Sequence, residues 1–211
     1  MTKEDQKRDE IFYNETLAPD DINRLLDAKV FTNFKRIDKK GEHKLDGFKR
    51  DEKGNIKDNL IIKGNNLLAL ASLKKEFAGK VKLIYIDPPY NPDSKSNTFI
   101  YNNSFNESSW LTFMKNRLEV AKYLLTNDGV LIVAIDENEF LQLGVLLKEI
   151  FKNHESHCIT IVHNPRGVQG TNFSYTHEYA FFIIPNGKKS VGNRKIEKKD
   201  ICWRNLRDNG G

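Results

Sequence analysis

The stretch that decides the fold reads Leu83-Ile84-Tyr85-Ile86-Asp87-Pro88-Pro89-Tyr90-Asn91. Four apolar residues are followed by one carboxylate, two prolines and an aromatic ring. An apolar run with a charge only at its C-terminal end is typical of a buried strand in a parallel sheet. In open α/β sheets, ligands bind outside the carboxyl ends of the strands. The pattern therefore predicts an α/β fold with Asp87 to Tyr90 at its functional edge.

The residues after this strand point to a pocket that accepts hydrogen bonds. Pro88 and Pro89 have no N–H group, and each forces the residue before it into an extended conformation. The carbonyls of Asp87 and Pro88 can therefore act as acceptors beside the Asp87 carboxylate. Such a set suits an exocyclic amine, and the Tyr90 ring offers a face for stacking. The chemistry favours a pocket for an amino-bearing nucleobase taken out of its helix, with a plain Pro-Pro turn as the alternative.

Segments on either side continue the strand–helix pattern of a parallel sheet with a right-handed crossover. A short capped helix is predicted after Asp21, and residues 35–58 are expected to form a surface loop or hairpin. Strands are predicted at 60–62, 81–86, 130–135, 158–163 and 179–184. Helices are predicted from Leu67 to near Gly79, at 110–125, which Asp128-Gly129 should end, and at 140–151. The inward residues of the last helix are predicted to be Leu141, Val145, Leu146, Leu147 and Ile150.

Further motifs precede and follow residues 83–91 along the chain. They are Asn59-Leu60-Ile61-Ile62-Lys63-Gly64-Asn65-Asn66-Leu67, Trp110-Leu111-Thr112-Phe113-Met114-Lys115-Asn116-Arg117-Leu118, Asp128-Gly129-Val130-Leu131-Ile132-Val133, Thr176-His177-Glu178-Tyr179 and Trp203-Arg204-Asn205-Leu206-Arg207. The series resembles the modification subunit of Type III restriction–modification systems over most of residues 10–211. The resemblance implies a Rossmann-like methyltransferase with a mostly parallel central sheet flanked by helices. It also implies site-specific methyl transfer from S-adenosylmethionine to adenine N6 in DNA.

The resemblance carries roles to particular residues. The implied catalytic residues are Asp87, Pro88, Pro89 and Tyr90. Asp87 and the Pro88 carbonyl would accept hydrogen bonds from the amine, and the face of the Tyr90 ring, rather than its hydroxyl, would stack on the base. The implied cofactor-binding residues are Gly64, Asn65 and Asp87. Many relatives have Asp at the position of Asn65, and a simple turn at the end of a strand is the alternative for Gly64-Asn65.

Three weaker candidates remain. Thr176-His177-Glu178-Tyr179 could line the base pocket or be a core residue beside an exposed polar pair. Residues 166–170 could contact DNA phosphates or form an ordinary surface loop. The residues His154, His157, Cys158 and His163 fit no standard zinc spacing, so no metal site is predicted.

Composition restricts the setting of the protein. The 211 residues carry a net charge of +5, which is compatible with a polyanionic partner. The N-terminus is too polar for a signal peptide, and no apolar stretch approaches the ~20 residues of a membrane span. Two isolated cysteines, Cys158 and Cys202, favour a reducing cytoplasm. The expected partners are double-stranded DNA with a flipped adenine, a second copy of the chain and a restriction subunit.

Three segments are predicted along the chain. They are a charged, helical N-terminal extension at 1–57, a partial catalytic domain at 58–187, and the start of a linker to an absent DNA-recognition domain at 188–211. The thirteen glycines include no G-x-G turn, which the family places near its C-terminus. The sequence thus predicts an N-terminal catalytic fragment that is inactive alone. Two alternatives are cytosine-N4 methylation, against which Asp87 argues, and a non-catalytic nucleic-acid- or partner-binding module if the native chain ends at Gly211.

Overall fold

The computed structural model describes residues 31–91, 107–170, 172–188 and 191–192. The strands are β1 (Lys35–Asp38), β2 (Gly41–Lys44), β3 (Val81–Ile86), β4 (Leu125–Ile135), β5 (His154–Val162), β6 (Val168–Gln169), β7 (Ser174–Tyr175) and β8 (His177–Pro185). The helices are α1 (Asn66–Phe77), α2 (Glu107–Leu124) and α3 (Phe140–Ile150). The helix predicted after Asp21 and the Trp203 motif lie outside the described residues.

The central sheet has four strands in the order β3-β4-β8-β5. Strands β3 and β4 are parallel, whereas β8 is antiparallel to both β4 and β5. The α/β class is confirmed, and the sheet is mixed rather than mostly parallel. The reason is the connection between β5 and β8, which is a hairpin through β6 and β7 and so joins antiparallel neighbours.

The strand predicted at 60–62 is absent, and that prediction is wrong. These residues adopt no regular structure, and Ile61 is 96% exposed. An extended segment becomes a strand only where a neighbouring strand takes up its hydrogen bonds. No strand in the described ranges lies beside residues 60–62, so the strand–helix–strand unit begins only at α1.

The core lies between one face of the sheet and the helices α2 and α3. Its most buried side chains are Trp110, Met114, Leu118, Leu131, Val133, Ile135, Leu143, Leu147 and Ile183. In α2 the apolar residues recur at four-residue steps, which places them on one face of the helix. In α3 the predicted inward positions Leu141 and Val145 are wrong, because these side chains are 73% and 70% exposed. Leu143 is inward instead, since α3 is apolar on more than one face.

Among the described residues, strand β3 is at one side of the sheet, and it is not buried on both faces as predicted. Ile84 and Ile86 pack against the core, but Leu83 and Tyr85 are 57% and 63% exposed. Tyr85 lies beside Ile132 of β4, so the second face of the sheet is also apolar. The continuous apolar run of β3 therefore reflects two apolar faces, of which only one is covered by the described helices.

A bulge in β4 corrects the predicted end of the second helix. Val81 pairs with Leu125 and Leu83 pairs with Val130, so extra residues of β4 bulge between these pairs. Asp128-Gly129 lies in this bulge and not at the end of a helix. A Cβ atom on Gly129 would lie 2.9 Å from Leu125 Cδ2 and 3.0 Å from the Val81 carbonyl oxygen. Glycine therefore allows the two strands to approach here.

The hairpin expected within residues 35–58 is confirmed by the antiparallel pair β1–β2. Arg50 links the following loop to α1, because its two terminal nitrogens donate to the Glu76 carboxylate at 2.7 and 3.0 Å. No helix in the described part of the chain is long and apolar enough to cross a membrane.

Candidate functional site

Three carboxylates lie close together at one edge of the sheet, the one at which β3 and β4 end. Asp87 directly follows β3, and Asp136 directly follows β4. Ile135 pairs with Tyr179 in antiparallel register, so Asp136 and Glu178 are the next opposed positions. This edge is the carboxyl end of the parallel pair β3–β4, where the sequence predicted the functional site.

The loop at residues 87–91 is held by hydrogen bonds from separate parts of the fold. The indole Nε1 of Trp110, in α2, donates to the Pro89 carbonyl oxygen at 2.7 Å. Asn91, in the left-handed region at φ 56°, donates from Nδ2 to Glu139 Oε1 at 2.5 Å. The Tyr90 hydroxyl donates to Glu178 Oε2, in β8, at 3.2 Å. The loop is therefore fixed before any ligand binds.

The contact with Trp110 leaves the predicted acceptors in place. Trp110 is fully buried, and its N–H takes the carbonyl of Pro89 rather than that of Asp87 or Pro88. The sequence patterns did not predict this role of Trp110 or the role of Glu139. A signal existed for Trp110, because a buried indole N–H needs an acceptor nearby.

Tyr90 contributes a hydroxyl as well as a ring face. Burial is the main cause that raises the pKa of Tyr90 well above its usual range, and hydrogen bonding to Asp87 and the charges of Asp87 and Glu178 raise it further. The phenol therefore stays protonated and donates to Glu178. Its ring packs against the edge of the core, so both ends of the side chain are positioned.

Asp136 is a second group whose pKa is shifted, and the sequence patterns did not predict a role for it. Burial raises the pKa of Asp136 to about 6, although the backbone N–H and the Nδ2 of Asn138 donate to its carboxylate at 3.0 and 2.7 Å. The charges of Glu137 and Glu178 raise it further. A half-buried carboxyl with a raised pKa is a common feature of functional sites. Its position directly after a buried strand, like that of Asp87, could have identified it.

The Thr176-His177-Glu178-Tyr179 motif divides between site and core. Glu178 reaches Tyr90, as described above. Tyr179 lies 4.6 Å from Phe140 between ring centroids, and its hydroxyl lies 3.1 Å from His177 Nε2. Tyr179 thus packs beside the core, His177 and Glu178 are half-buried rather than an exposed pair, and a role of the motif in a base pocket stays a prediction.

In the described residues, the hydrogen bonds of Asn65 do not involve the 87–91 loop. Asn65 caps α1, because its Oδ1 accepts from the backbone N–H groups of Leu67 and Leu68 at 3.1 and 3.3 Å. Gly64 has φ 153°, which favours glycine. The structure thus shows a turn and a helix cap at the position where a cofactor contact was predicted.

Comparison with known proteins shows the family of this chain. Residues 81–208 match the family model described as DNA methylase. A protein named Probable type III restriction-modification enzyme HindVI Mod subunit, from Haemophilus influenzae, is 51% identical over 172 residues, which cover 81% of this chain and 23% of that protein. The type III restriction-modification enzyme EcoPI Mod subunit of Escherichia phage P1 is 32% identical over 185 residues, with coverage of 72% and 28%.

A solved structure is also similar. It is a DNA modification methylase from Thermus thermophilus complexed with S-adenosyl-L-methionine, with 16% identity, a TM-score of 0.43, and coverage of 64% of this chain and 55% of that one. The chain spans about a quarter of the length of the two Mod subunits that it matches. The family match includes β3, the 87–91 loop and all the carboxylates of the site edge. The chain therefore belongs to the DNA methylase family.

Proposed function

We propose that this chain carries the part of a DNA methyltransferase site that binds the target amine. The complete site moves a methyl group to adenine N6. The observation that carries the proposal is the fixed loop 87–91, which holds a carboxylate, acceptor carbonyls and a tyrosine ring together at the carboxyl edge of the sheet. The similarity to type III Mod subunits supports a role as the modification part of such a system, acting on double-stranded DNA with a restriction subunit.

The acceptors explain how a weak nucleophile reacts. The lone pair of an exocyclic amine is delocalised into its ring, so the nitrogen must become pyramidal to attack. Asp87 and the Pro88 carbonyl would each accept one N–H bond, which favours the pyramidal nitrogen. These bonds strengthen in the transition state, which is the binding that accelerates a reaction. As the nitrogen bonds to the methyl carbon, the bond from that carbon to the sulfonium sulfur of the donor would break and leave a neutral thioether, and Asp87 would accept the proton that the nitrogen gives up.

The charges at this edge suit the methyl donor. S-adenosylmethionine supplies an electrophilic methyl group, and it carries a sulfonium and an ammonium charge. Asp136, whose burial disfavours its charged form, would regain that form beside a cation. Asp87 would face the same cofactor, and Gly64 and Asn65 at the start of α1 are proposed to border it. Residues 58–187 would hold this part of the catalytic domain.

Substitution of Asp87 tests the proposal. The protein is expressed with any sequence that its reading frame adds beyond residue 211, and methyl transfer from labelled S-adenosylmethionine to duplex DNA is measured. Asp87→Ala should abolish transfer and leave DNA binding, measured by fluorescence anisotropy, within about twofold. The matched control is Glu155→Ala, which removes an exposed carboxylate of β5.

The outcomes separate the alternatives. Digestion of the product and mass spectrometry distinguish N6-methyladenine, which is expected, from N4-methylcytosine. Near-normal methylation by Asp87→Ala would overturn the assignment of the catalytic residue. A wild-type protein that binds DNA but transfers no methyl group would overturn the proposed function itself.

A further inference from the structure

A hairpin extends the sheet beyond the candidate site. The ladder between β5 and β8 ends at the pair Val162–His177, and the N–H groups of His163 and Asn164 continue it to the Thr176 carbonyl at 3.2 Å. Strands β6 and β7 then pair antiparallel. The hairpin is thus an ordered extension of two core strands.

The tip of this hairpin presents an aromatic side chain to solvent. Phe173 is 83% exposed, and Val168 and Tyr175, which pair across the hairpin, are 58% and 50% exposed. Arg166 at its base is exposed as well. Single exposed apolar residues are ordinary on protein surfaces, but three within one short hairpin are a concentrated apolar surface.

Local contacts hold Phe173 in this position. The Gly170 N–H donates to the Phe173 carbonyl at 3.1 Å. A Cβ atom on Gly170 would lie 2.5 Å from the Tyr175 ring. Only glycine leaves room for that ring, which lies against the turn and supports it. The turn that carries Phe173 is therefore braced by its own backbone bond and by Tyr175.

The hairpin emerges at the same edge of the sheet as the site. Glu178, whose carboxylate holds the Tyr90 hydroxyl, is five residues from Phe173 along β7 and β8. Five residues of extended chain span about 17 Å. The backbone of Phe173 therefore lies no more than about 17 Å from that of Glu178, which places Phe173 near the candidate site.

We propose that Phe173 is a wedge that enters the DNA duplex at the place left by the flipped base. The inference rests on the proposed function. A base that leaves the stack costs unstacking energy, and an apolar or aromatic side chain that fills the gap recovers part of it. Phe173 stacks on the neighbouring base pairs, while Arg166 contacts the phosphates beside them. The pocket and the wedge thus act on one nucleotide from two sides.

Binding to a gapped duplex tests the wedge without any need for methyl transfer. Two duplexes of one sequence are compared, of which one has an abasic site opposite a normal base, and 2-aminopurine next to the gap reports stacking. Since one base–aromatic stack is worth about 1–3 kcal/mol, the wild-type protein should bind the gapped duplex about tenfold more tightly and quench the probe. Phe173→Ala should lose both effects, and Phe173→Trp should retain them.

The chain offers a matched control in Tyr123. This aromatic residue is 57% exposed, but it lies at the end of α2, where its carbonyl accepts from the Gly79 N–H before β3 begins, and so at the opposite edge of the sheet. Tyr123→Ala should keep the preference for the gap. The wedge is overturned if Phe173→Ala keeps the preference, if Tyr123→Ala loses it as well, or if the wild-type protein shows none.

The result is distinct from the test of the proposed function. If the wild-type protein methylates DNA and Phe173→Ala still prefers the gapped duplex, only the wedge is overturned. If the gap preference depends on Phe173 but no methyl transfer occurs, the wedge is supported and the methyltransferase function is overturned.

Discussion

The loop at 87–91 and the segment at 59–65 were both expected to belong to the functional site, yet their surroundings differ. Within the first, Pro89, Tyr90 and Asn91 are hydrogen-bonded by side chains from different parts of the fold. Within the second, Ile61 is 96% exposed, and in the described ranges Asn65 bonds only to the start of its own helix. One segment is positioned by tertiary contacts, and the other mainly by local geometry.

This difference teaches which half of the chemistry the described structure can preorganise. A catalytic group must be held near its productive geometry by neighbours whose own positions are fixed. Asp87 and Tyr90 meet that condition through the contacts of their loop. Gly64 and Asn65 have a defined turn, but no contact of theirs joins them to the Asp87 loop in the described ranges. Amine recognition is therefore the better-supported half of the proposed site.

The largest expected effect compares Trp110, the buried partner of the loop 87–91, with a side chain of the segment 59–65. Trp110→Ala should reduce the free energy of unfolding by about 3–5 kcal/mol, because it removes a fully buried indole and leaves the Pro89 carbonyl without its donor. Ile61→Ala should change it by less than about 0.5 kcal/mol, as expected for an exposed site. Urea denaturation of both variants measures the two values. Equal losses would mean that residues 59–65 are packed as firmly as the loop 87–91.

A smaller effect isolates the bond between Tyr90 and Glu178. Tyr90→Phe and Glu178→Ala should each lower stability, and the double variant should lose about 1 kcal/mol less than the sum, because both changes remove the same hydrogen bond. Glu178→Gln, which keeps an acceptor oxygen, should be mild. A thermodynamic cycle from urea denaturation gives the coupling. Additive losses would show that the Tyr90 hydroxyl and the Glu178 carboxylate act independently and that their hydrogen bond adds no stability.

The smallest effect concerns Asp136 and depends on pH. Its pKa is about 6 in the folded protein and 3.8 as the ordinary value. Between these values the unfolded chain releases the proton while the folded protein keeps it, so stability falls as pH rises from about 4 to about 6. Asp136→Asn removes that loss. The variant should be more stable at pH 7.5 by less than about 1 kcal/mol, because the carboxyl is partly exposed, and unchanged at pH 4.

Thermal unfolding at the two pH values measures this difference. Asp46→Asn, at an exposed position of the N-terminal region, serves as the control and should be neutral at both. A loss of stability for Asp136→Asn at pH 7.5 would show that its hydrogen bonds to Asn138 outweigh the cost of its burial.

Local patterns predicted much of the fold. The apolar period of α2, the run of β3 and the placement of Asp87 at its end all follow from the sequence and agree with the structure. Each of these depends on residues close together in the chain. The periodicity of α3 did not identify its buried face, because this helix is apolar on several sides. Leu141 and Val145 were therefore assigned to the wrong side.

The remaining features depend on partners that are distant in sequence. The Glu178 contact joins Tyr90 to a residue 88 positions away, and nothing local to either residue signals it. The failure of residues 60–62 to form a strand depends on the absence of a neighbour in the described ranges, not on their own composition. The bulge at Gly129 depends on the approach of Val81 from another strand. Such pairings cannot be predicted from a single sequence.

In the described part of the chain, the outer side of β3 pairs with no other strand, and such an edge affects the behaviour of a protein in concentrated solution. The backbone groups on the outer side of β3, with Leu83 and Tyr85 beside them, offer a template on which another extended chain can form hydrogen bonds. Lys82 places a charge on this strand, where it forms an ion pair with Asp128, and charges on edge strands oppose such pairing. The charge of Lys82 on β3, the strand that leads directly into the loop 87–91, therefore opposes pairing of this edge with another extended chain.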